Sequence, residues 1–552
     1  MSKDAADQVR SGTPLEVDPA LLPRDPELLV QLIVQLIEEL QKRDGRITDL
    51  EHRMDLLLRR LYGRTSEKFD PLQLALFDAT PEEPTPEELA AQLPPASSSA
   101  AGASVASTSA KPGHGRRRLP DRLRRVEVVH DLTATEKQAL GGEPNLVLIG
   151  REETEQLEWE PSSLYVIRHV QLSYARRELL PESGESPGEK NVITASKPPQ
   201  VIPGGLPGPG LVAQVATSKY VDHVPLHRQE RQFTRHGVFL PRQTTCDWAL
   251  AGAELLMPLY KLLVGEVLLS EVLHTDSTSV KIRDARLRLK RTGYFWPYVG
   301  DDLHPLIAFD YTPTHSRDGP ATFLRPFRGY LHADAHSVYD ELYTDGRIVE
   351  VGCWMHARRG FFEARQVDRL RAETALVYIG QLYAVEREQA ERCAAQGREW
   401  SRAERYASIA ATRQERARPI LEEFFAWLET EATKLVPKNP LRQAMDYALR
   451  HRVALGRYTT DGRLHIDNGA AERAVRGIAL GRRNWLFCGS ERGARAAVIY
   501  FSLCASCRRH EIDPFAYLRH LFTQFPRLIA DAGGTPPADQ LRPLLPDRWR
   551  PA

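Results

Sequence analysis

Cysteine is scarce in this chain, and long apolar runs are missing from it. Six of the 552 residues are cysteine, which excludes the disulfide framework of a small secreted protein and leaves a reducing compartment as the expectation. Residues 1–19 are polar and acidic, without the basic-then-apolar order of a signal peptide. No stretch approaches the roughly 20 apolar residues that cross a bilayer. The sequence therefore predicts a soluble protein inside the cell, with no membrane partner.

Net charge is nearly absent as well, which at first argues against a nucleic-acid ligand. Lys and Arg number 74 against 73 Asp and Glu, for a net charge of +1. The charge is unevenly placed, however, because residues 1–100 hold 11 basic and 19 acidic side chains and residues 451–510 hold 11 basic and 4 acidic ones. Arg outnumbers Lys by 61 to 13. That ratio suits phosphate binding by the forked guanidinium, although genome composition explains it equally well.

The length predicts about three to five domains, and the N-terminal part already divides into three segments. Residues 1–20 are expected to be a tail. Residues 21–70 carry a heptad seam of apolar side chains that only Arg43 interrupts. This pattern predicts a coiled coil, most simply with a second copy of the chain; an amphipathic helix packed on its own domain is the alternative. Residues 71–115, rich in Pro, Ser and Ala, are expected to be a disordered linker.

A basic arm and a small β-rich unit follow the linker. The arm holds six basic residues in ten, which either contact phosphates or are simply solvated: Arg116, Arg117, Arg118, Arg122, Arg124 and Arg125. Residues 116–204 alternate apolar and polar side chains in places, as in Leu164–Val170. Such alternation is typical of half-buried strands.

The rest of the chain reads as helices followed by an α/β region. Residues 205–262 form three helical segments, with Gly237 between the second and third; this is the outline of a helix-turn-helix, or of ordinary helix packing. Residues 263–510 contain five strand candidates and predict an α/β domain. A helical block, residues 361–455, interrupts that domain. Residues 511–552 are assigned to a C-terminal tail region.

Acidic side chains stand at the ends of two apolar strand candidates. Asp276 and Asp334 occupy these positions, where carboxylates on adjacent strands can share divalent cations. Glu472 lies in the first turns of a helix that Asp467 or Asn468 can cap. On spacing alone, caps and surface carboxylates explain these residues as well as a catalytic site does.

Taken in order, nine segments of the chain resemble the transposases of the insertion sequence 66 family. The motifs include LYGRTSEK, HTD, CWMHARR, IDNGAAERA, GRRNWLF and DPFAYL, at residues 61–68, 274–276, 353–359, 466–474, 481–487 and 513–518. Two further segments, residues 166–170 and 218–230, resemble the family's middle region, and Ala333–Asp334 resembles one of its catalytic blocks. The resemblance covers most of the chain.

This resemblance implies a multidomain, mainly α protein with an α/β core. The core is expected to be a ribonuclease-H-like catalytic domain interrupted by the all-helical insertion. Carried over residue by residue, the catalytic and metal-binding triad is Asp276, Asp334 and Glu472, which would hold two Mg²⁺ or Mn²⁺ ions. The implied reaction cuts the ends of a mobile element and joins the freed 3′-hydroxyls to target DNA, a recombination by transposition.

The resemblance also implies partners and a location. The partners are transposon-end DNA, target DNA, a second copy or more of the chain through the coiled coil, and small accessory proteins of the same element. The location is the bacterial cytoplasm, in association with the nucleoid. The residues expected to contact DNA are His356, Arg358, Arg359, Arg473, Arg476, Arg482, Arg483, Trp485 and Arg116–Arg118 of the arm. Trp485 either stacks on an unpaired base or packs in the core.

The chain also departs from the family pattern. No cysteine lies between residues 1 and 245, so the family's Cys-ligated zinc segment is expected to be a zinc-ribbon remnant, and no zinc is expected. Cys353 and His356 have metal-pair spacing, although Cys353 is more simply a buried strand residue. Ser277 and Ala335 stand where Glu and Gly are common. Two rival functions stay open: a non-catalytic, domesticated DNA-binding protein, and a ribonuclease-H-like nuclease without strand transfer.

Overall fold

A computed structural model describes residues 119–550 apart from residues 122, 141, 161–162, 177–191, 285–288 and 396–399. The predicted tail, coiled coil and linker lie outside the described residues, and so do Arg116, Arg117, Arg118 and Arg122 of the arm. These predictions therefore stay predictions.

The first folded unit is a small sheet. It consists of β1 (Arg125–His130), β2 (Leu146–Glu160), β3 (Ser163–Arg176) and β4 (Val192–Thr194), with the short helix α1 (Ala134–Ala139) after β1. The strand order is β1-β3-β2. Strand β4 pairs with residues 173–175, near the C-terminal end of β3. Leu157 and Val166 are fully buried on one face, where they meet Leu211 and Val215 of the next helix. Residues 164–170 thus form the strand that the sequence predicts, although its burial does not alternate, because Leu164, Tyr165 and Val166 are all buried.

Four helices follow. They are α2 (Pro209–Tyr220), α3 (Leu226–Arg235), α4 (Arg242–Leu255) and α5 (Met257–Leu268). Helix α2 is buried on nearly every side, whereas α3 buries only Gln229 and Phe233. Gly237, in the turn after α3, has a φ of 81°, which glycine adopts without steric cost. No single described helix is long and apolar enough to cross a membrane; α4 and α5 pass that test only as a pair bent by 53°.

The central sheet contains six strands. They are β5 (Val272–Thr275), β6 (Thr278–Asp284), β7 (Leu289–Val299), β8 (Ile307–Thr312), β9 (Gly329–His332) and β10 (Ile348–Val351), with helix α6 (Asp318–Phe323) before β9. Strands β5 and β6 pair with the same antiparallel neighbour, β7, so they are two parts of one interrupted strand. Strand β8 is antiparallel to β7, while β9 and β10 run parallel to β5. The sheet thus places three antiparallel strands beside two parallel ones.

All five strand candidates of this region are strands, but β6 is absent from the sequence prediction. Its sequence carried a usable signal, because Thr278, Val280 and Ile282 are buried while Ser279 and Lys281 between them are exposed. That strict alternation is the mark of a strand with one wet face. The mixed α/β prediction for the region is confirmed.

The helical block lies between β10 and the last part of the domain. It contains α7 (Trp354–Ala364), α8 (Arg369–Ala395), α9 (Arg402–Thr412), a π-helical turn (Arg413–Ala417), α10 (Arg418–Ala432), α11 (Pro440–Arg450) and α12 (Arg452–Gly456). These helices have their own apolar cluster, which includes Trp354, Phe361, Phe424 and Met445. The predicted all-helical character of residues 361–455 is confirmed.

Four helices complete the chain: α13 (Gly469–Trp485), α14 (Glu491–Arg509), α15 (Pro514–Ala532) and α16 (Ala538–Leu541). Helix α15 packs against α2, and Tyr517, Leu521 and Phe525 on α15 are fully buried in the main apolar cluster. Part of the segment assigned to a C-terminal tail region therefore packs into the core.

Candidate functional site

Two neighbouring parallel strands end at one edge of the central sheet and carry acidic residues there. His274 on β5 lies opposite His332 on β9. Asp276 lies two residues after His274, and Asp334 lies two residues after His332. Because paired strands lie about 4.8 Å apart, both aspartates reach the same edge. Asp276 Oδ1 accepts a hydrogen bond from the Ser277 amide at 2.7 Å, and Asp334 Oδ1 accepts one from the His336 amide at 3.1 Å.

A buried asparagine fixes the third acid next to this edge. Glu472 lies in the first turn of α13, and Asn468, at the helix start, is fully buried. The Asn468 Nδ2 amide donates to the Thr275 carbonyl at 2.7 Å, and its Oδ1 is hydrogen-bonded to His274 Nδ1 at 3.2 Å. Asn468 therefore ties α13 to β5 instead of capping its own helix, and Asp467 Oδ1 accepts from the Gly469 amide at 2.9 Å.

The three acids interact electrostatically. Burial raises the pKa of Asp276 to about 7; its hydrogen bond from the Ser277 amide opposes the rise, and the carboxylates of Asp334 and Glu472 add to it. Burial likewise raises the pKa of Glu472 to about 7, against the opposing charge of Arg359. Raised carboxyl pKa values in a cluster of acids are typical of functional sites. The structure thus brings all three predicted acids together.

Beneath the acids lie two stacked imidazoles. The rings of His274 and His332 are parallel, with centroids 4.3 Å apart, and both side chains are buried. Burial holds the pKa of both histidines well below its usual value. Burial therefore favours the uncharged form of both rings.

Helix α7 adds His356 to the site. His356 Nδ1 lies 3.7 Å from Glu472 Oε1, and both atoms are buried with no hydrogen-bond partner among the described residues. Burial and the nearby Arg359 lower the pKa of His356. Cys353, one turn earlier, is fully buried at the start of the helix and not on a strand, and its sulfur accepts the Asn468 amide at 3.2 Å.

The arginines predicted to contact DNA differ in their exposure to solvent. Arg359, Arg473, Arg476 and Arg483 are exposed, and Arg358 is half-buried. All five lie on α7 and α13, the two helices that also carry His356 and Glu472.

Two further residues of this predicted set are engaged by the protein itself. Arg482 Nη1 donates to Thr278 Oγ1 at 3.0 Å and to the Ser279 carbonyl at 2.9 Å, which ties α13 to β6. The half-buried Trp485 covers Gly481, where a Cβ would lie only 2.6 Å from the indole Nε1. Trp485 therefore packs at least partly within the fold.

A cavity next to the aspartates was not foreseen from the sequence. Its volume is about 460 Å³ and its lining consists of His315, Ser316, Arg317, Asp318, His336, Ser337, Val338 and Glu341. His315 Nε2 lies 2.9 Å from Ser277 Oγ, and its ring stacks on the buried Trp296 with centroids 4.9 Å apart. The positions of Ser277 and His336, directly or nearly after the two aspartates, are a usable sequence signal, but His315 carries none.

Comparison with known proteins identifies the family. Residues 204–496, which include all three acids, match the family described as "Transposase IS66 family". The chain belongs to this family of transposases. Residues 49–128 match a second IS66-related family, described as "Transposase C of IS166 homeodomain". The family resemblance inferred from the motifs is thereby confirmed.

This IS66 chain also has relatives of similar length in one bacterium. It is 31% identical over 533 residues to uncharacterized protein y4hP of Sinorhizobium fredii, a match that covers 92% of this chain and 89% of y4hP. It is 30% identical over 420 residues to uncharacterized protein y4qI of the same organism, covering 73% and 72% of the two chains. A third relative there, uncharacterized protein y4jD, is 25% identical over 445 residues, covering 78% of this chain and 81% of y4jD.

Proposed function

We propose that this IS66-family protein is a DNA transposase that cuts the ends of its insertion sequence and joins the freed 3′-hydroxyls to target DNA. The observation that carries the proposal is the convergence of Asp276, Asp334 and Glu472 at one edge of the central sheet. Two of these acids come from adjacent strands and the third from a helix that Asn468 fastens to the first strand.

The order of the strands supports a ribonuclease-H-like core. Reading from one side, the sheet runs β8, β7, β5 with its continuation β6, β9 and β10. Three antiparallel strands followed by two parallel ones, with the first acid on the first strand and the second acid after the fourth, is the arrangement expected of that fold. The helical block then enters between the fifth strand and the helix that carries the third acid.

The donor set suits hard divalent cations. Three carboxylates supply oxygen ligands of the kind that Mg²⁺ and Mn²⁺ prefer. Burial raises the pKa values of Asp276 and Glu472, and a bound cation would offset the cost of burying their charged forms. Asp276, Asp334 and Glu472 would hold two such ions. When bound, the ions would activate the attacking water or hydroxyl and stabilise the leaving oxygen of a phosphodiester.

The chain's own residues prepare this site. The amides of Ser277 and His336 fix the two aspartate side chains, and Asn468 sets the position of Glu472 relative to β5. Such fixed geometry is worth several kcal/mol in catalysis because the reacting groups need no further ordering. The acids are half-buried, so their electrostatic attraction for a bound cation is stronger than it would be in water, because the local dielectric constant is lower.

Exposed basic residues supply the contacts to DNA phosphates. Arg359 and Arg473 interact electrostatically with Glu472, and Arg476 and Arg483 are exposed on the same helix as Arg473. Guanidinium groups bind phosphate in a bidentate manner. The cavity beside Asp276 and Asp334, which contains His315 and Arg317, can accept a phosphate of the bound strand.

A second DNA contact is proposed at the helix-turn-helix-like region. Arg228, Arg231 and Arg235 on α3 are exposed, while the helix packs through Gln229 and Phe233. Helix-turn-helix proteins use an exposed basic face on a short helix after a turn to contact the bases or the phosphate backbone of duplex DNA. Oligomerisation through residues 21–70, help from small accessory proteins and a place at the bacterial nucleoid complete the proposal.

A reconstituted transposition reaction tests it. Purified full-length protein is incubated with Mg²⁺, a DNA fragment that carries the element's ends, and a supercoiled target plasmid. We expect cleavage at the ends and covalent joining of the 3′ ends to the plasmid. Cleavage without joining would favour the nuclease, and binding of the ends without cleavage would favour the non-catalytic DNA-binding protein.

A further inference from the structure

We propose that Cys353, His356 and Glu472 form a binding site for a transition-metal ion of the zinc type. Each residue offers one ligand atom, and these three atoms lie within 4.8 Å of one another. Thiolate, imidazole and carboxylate are the three side-chain ligands of Zn²⁺. Mg²⁺ disfavours the first two, because hard cations select oxygen. The site therefore differs in chemistry from the all-carboxylate site proposed for catalysis.

The positions of the three ligands follow from local structure. Cys353 immediately precedes α7 and His356 is the third residue of that helix, so the two side chains lie three positions apart and share one face. Glu472 faces them from the first turn of α13. Three protein ligands from two fixed helix starts leave a fourth position open, as in zinc sites that exchange their outer ligand.

Two of the ligand atoms lack any other partner. His356 Nδ1 and Glu472 Oε1 are buried, face each other at 3.7 Å, and have no hydrogen bond among the described residues. Leaving such atoms unpaired lowers stability, and native structures rarely contain them without a functional reason. A cation between the imidazole nitrogen and the carboxylate oxygen satisfies both atoms at once.

The third ligand already has the environment of a bound thiolate. Cys353 Sγ accepts the backbone N–H of Asn468 at 3.2 Å, and such donors to a ligand atom orient it and stabilise its negative charge. Burial raises the pKa of the Cys353 thiol to about 12, so the thiol is protonated until an ion displaces the proton. Metal binding should therefore release protons into solution.

Because Glu472 is a ligand of this site, metal binding there would affect catalysis. Under the proposed function Glu472 also holds a catalytic cation, so an ion held by Cys353 and His356 would withdraw that carboxylate and inhibit DNA cleavage. The binding itself does not rest on the proposed function. This proposal differs from the sequence-based expectation that no zinc is bound. That expectation rests on cysteine spacing, which does not reveal that α13 brings a third ligand to the Cys-x-x-His pair.

Cobalt(II) is a suitable probe because it takes zinc sites and absorbs visible light. Metal-free full-length protein is titrated with Co²⁺. We expect one equivalent to produce tetrahedral d–d bands and a thiolate-to-cobalt charge-transfer band, and we expect Zn²⁺, but not excess Mg²⁺, to remove both. Cys353→Ser should lose the charge-transfer band, and His356→Ala should weaken Co²⁺ binding by at least about tenfold.

Cys504→Ser is the matched control, because Cys504 is also a buried free thiol but lies on α14 away from the cluster; its spectrum should equal that of the wild type. Circular dichroism checks that each variant is folded. The proposal is overturned if wild-type protein gives no charge-transfer band, or if folded Cys353→Ser keeps it. Failure of Mg²⁺-dependent DNA cleavage would refute the proposed function and leave the cobalt result unchanged.

Discussion

At the scale of single residues, Asp276 combines a functional role with a cost in stability. Its folded-state pKa of about 7 exceeds the value of about 4 expected for the unfolded chain. The folded state therefore binds the extra proton more tightly, and stability falls as pH rises from about 4 to about 7. At neutral pH without metal, the charged Asp276 destabilises the fold.

Asp276→Asn should consequently abolish DNA cleavage and yet raise the free energy of unfolding by about 1–3 kcal/mol at pH 8. The gain should shrink toward zero near pH 4, where the wild-type carboxyl is protonated. Urea unfolding of both proteins in EDTA at the two pH values measures this. A variant that is less stable than the wild type at pH 8 would contradict the proposed burial of charge.

The same pKa values predict how cation binding depends on pH. Asp276 and Glu472, both with a pKa of about 7, must lose protons before they can bind an ion. Affinity for Mn²⁺ should therefore rise between about pH 6 and pH 8 and level off above. Electron paramagnetic resonance of free Mn²⁺ measures this, and an affinity that is flat across the interval would argue against these two carboxyls as ligands.

Ala335 illustrates strain beside the site. Its φ is 59°, a left-handed conformation that costs residues other than glycine about 1–2 kcal/mol. Glycine is common at this position in the family, as the resemblance implies. Ala335→Gly should therefore stabilise the protein by about 0.5–1 kcal/mol after the larger chain entropy of glycine is subtracted.

Thermal and urea unfolding measure the effect of Ala335→Gly. Ala375→Gly, inside α8, serves as the control and should destabilise by about 1 kcal/mol or more, because glycine has a lower helix propensity and the buried methyl group is lost. A loss of stability in Ala335→Gly would show that the side chain of Ala335 contributes more than its backbone strain costs.

At the scale of elements, Asn468 joins three pieces of the site. Its side chain binds β5 and its amide binds the sulfur that precedes α7. Asn468→Ala leaves the buried Thr275 carbonyl without that donor, which should cost about 1–3 kcal/mol. It should also raise the Mg²⁺ concentration needed for half-maximal DNA cleavage, because Glu472 is no longer held against β5.

Asn484→Ala is the control for this prediction. Asn484 is exposed near the end of the same helix, and its replacement should change stability by less than about 0.5 kcal/mol and leave the Mg²⁺ requirement as it is. If Asn468→Ala lowered stability but kept the wild-type Mg²⁺ dependence, Asn468 would support the fold without positioning Glu472.

Sequence patterns predicted most elements of this fold because most are bounded by clear changes of period. The strands around Val272–Thr275 and Ile348–Val351 are short apolar runs that end in polar residues or glycine. Strand β6 was missed although it alternates, because its charged outer face hides the two buried aliphatic positions. The packing of α15 against α2 depends on residues about 300 positions apart in the chain, which no local pattern reveals.

In the candidate site, too, local features could be predicted from the sequence and long-range contacts could not. The acids Asp276, Asp334 and Glu472 could be found because they stand in recognisable motifs at strand and helix ends. The link from Asn468 to Thr275 spans 193 residues, and the contact of His315 with Ser277 spans 38. Such contacts exist only after folding, so neither the positioning role nor the cavity could be predicted.

At the scale of the whole molecule, the near-zero net charge conceals a separation of roles. The basic excess of residues 451–510 is shared by α13 and α14, which hold four arginines each; under the proposed function the arginines of α13 meet DNA phosphates beside the acids. The acidic excess of residues 1–100 belongs to the predicted tail, coiled coil and linker. The scarcity of cysteine likewise excludes a disulfide framework while leaving Cys353 in a position to bind metal.

The central claim is that Asp276, Asp334 and Glu472 together catalyse DNA cleavage, and the rate of end cleavage by single variants tests it most directly. The variants are Asp276→Asn, Asp334→Asn, Glu472→Gln and the control Asp310→Asn, which removes another largely buried carboxyl of the same sheet. With Mg²⁺ and terminal DNA, the account predicts rates reduced by about a thousandfold or more for the three acids and a nearly unchanged rate for Asp310→Asn. Wild-type cleavage by any one of the three variants would contradict it.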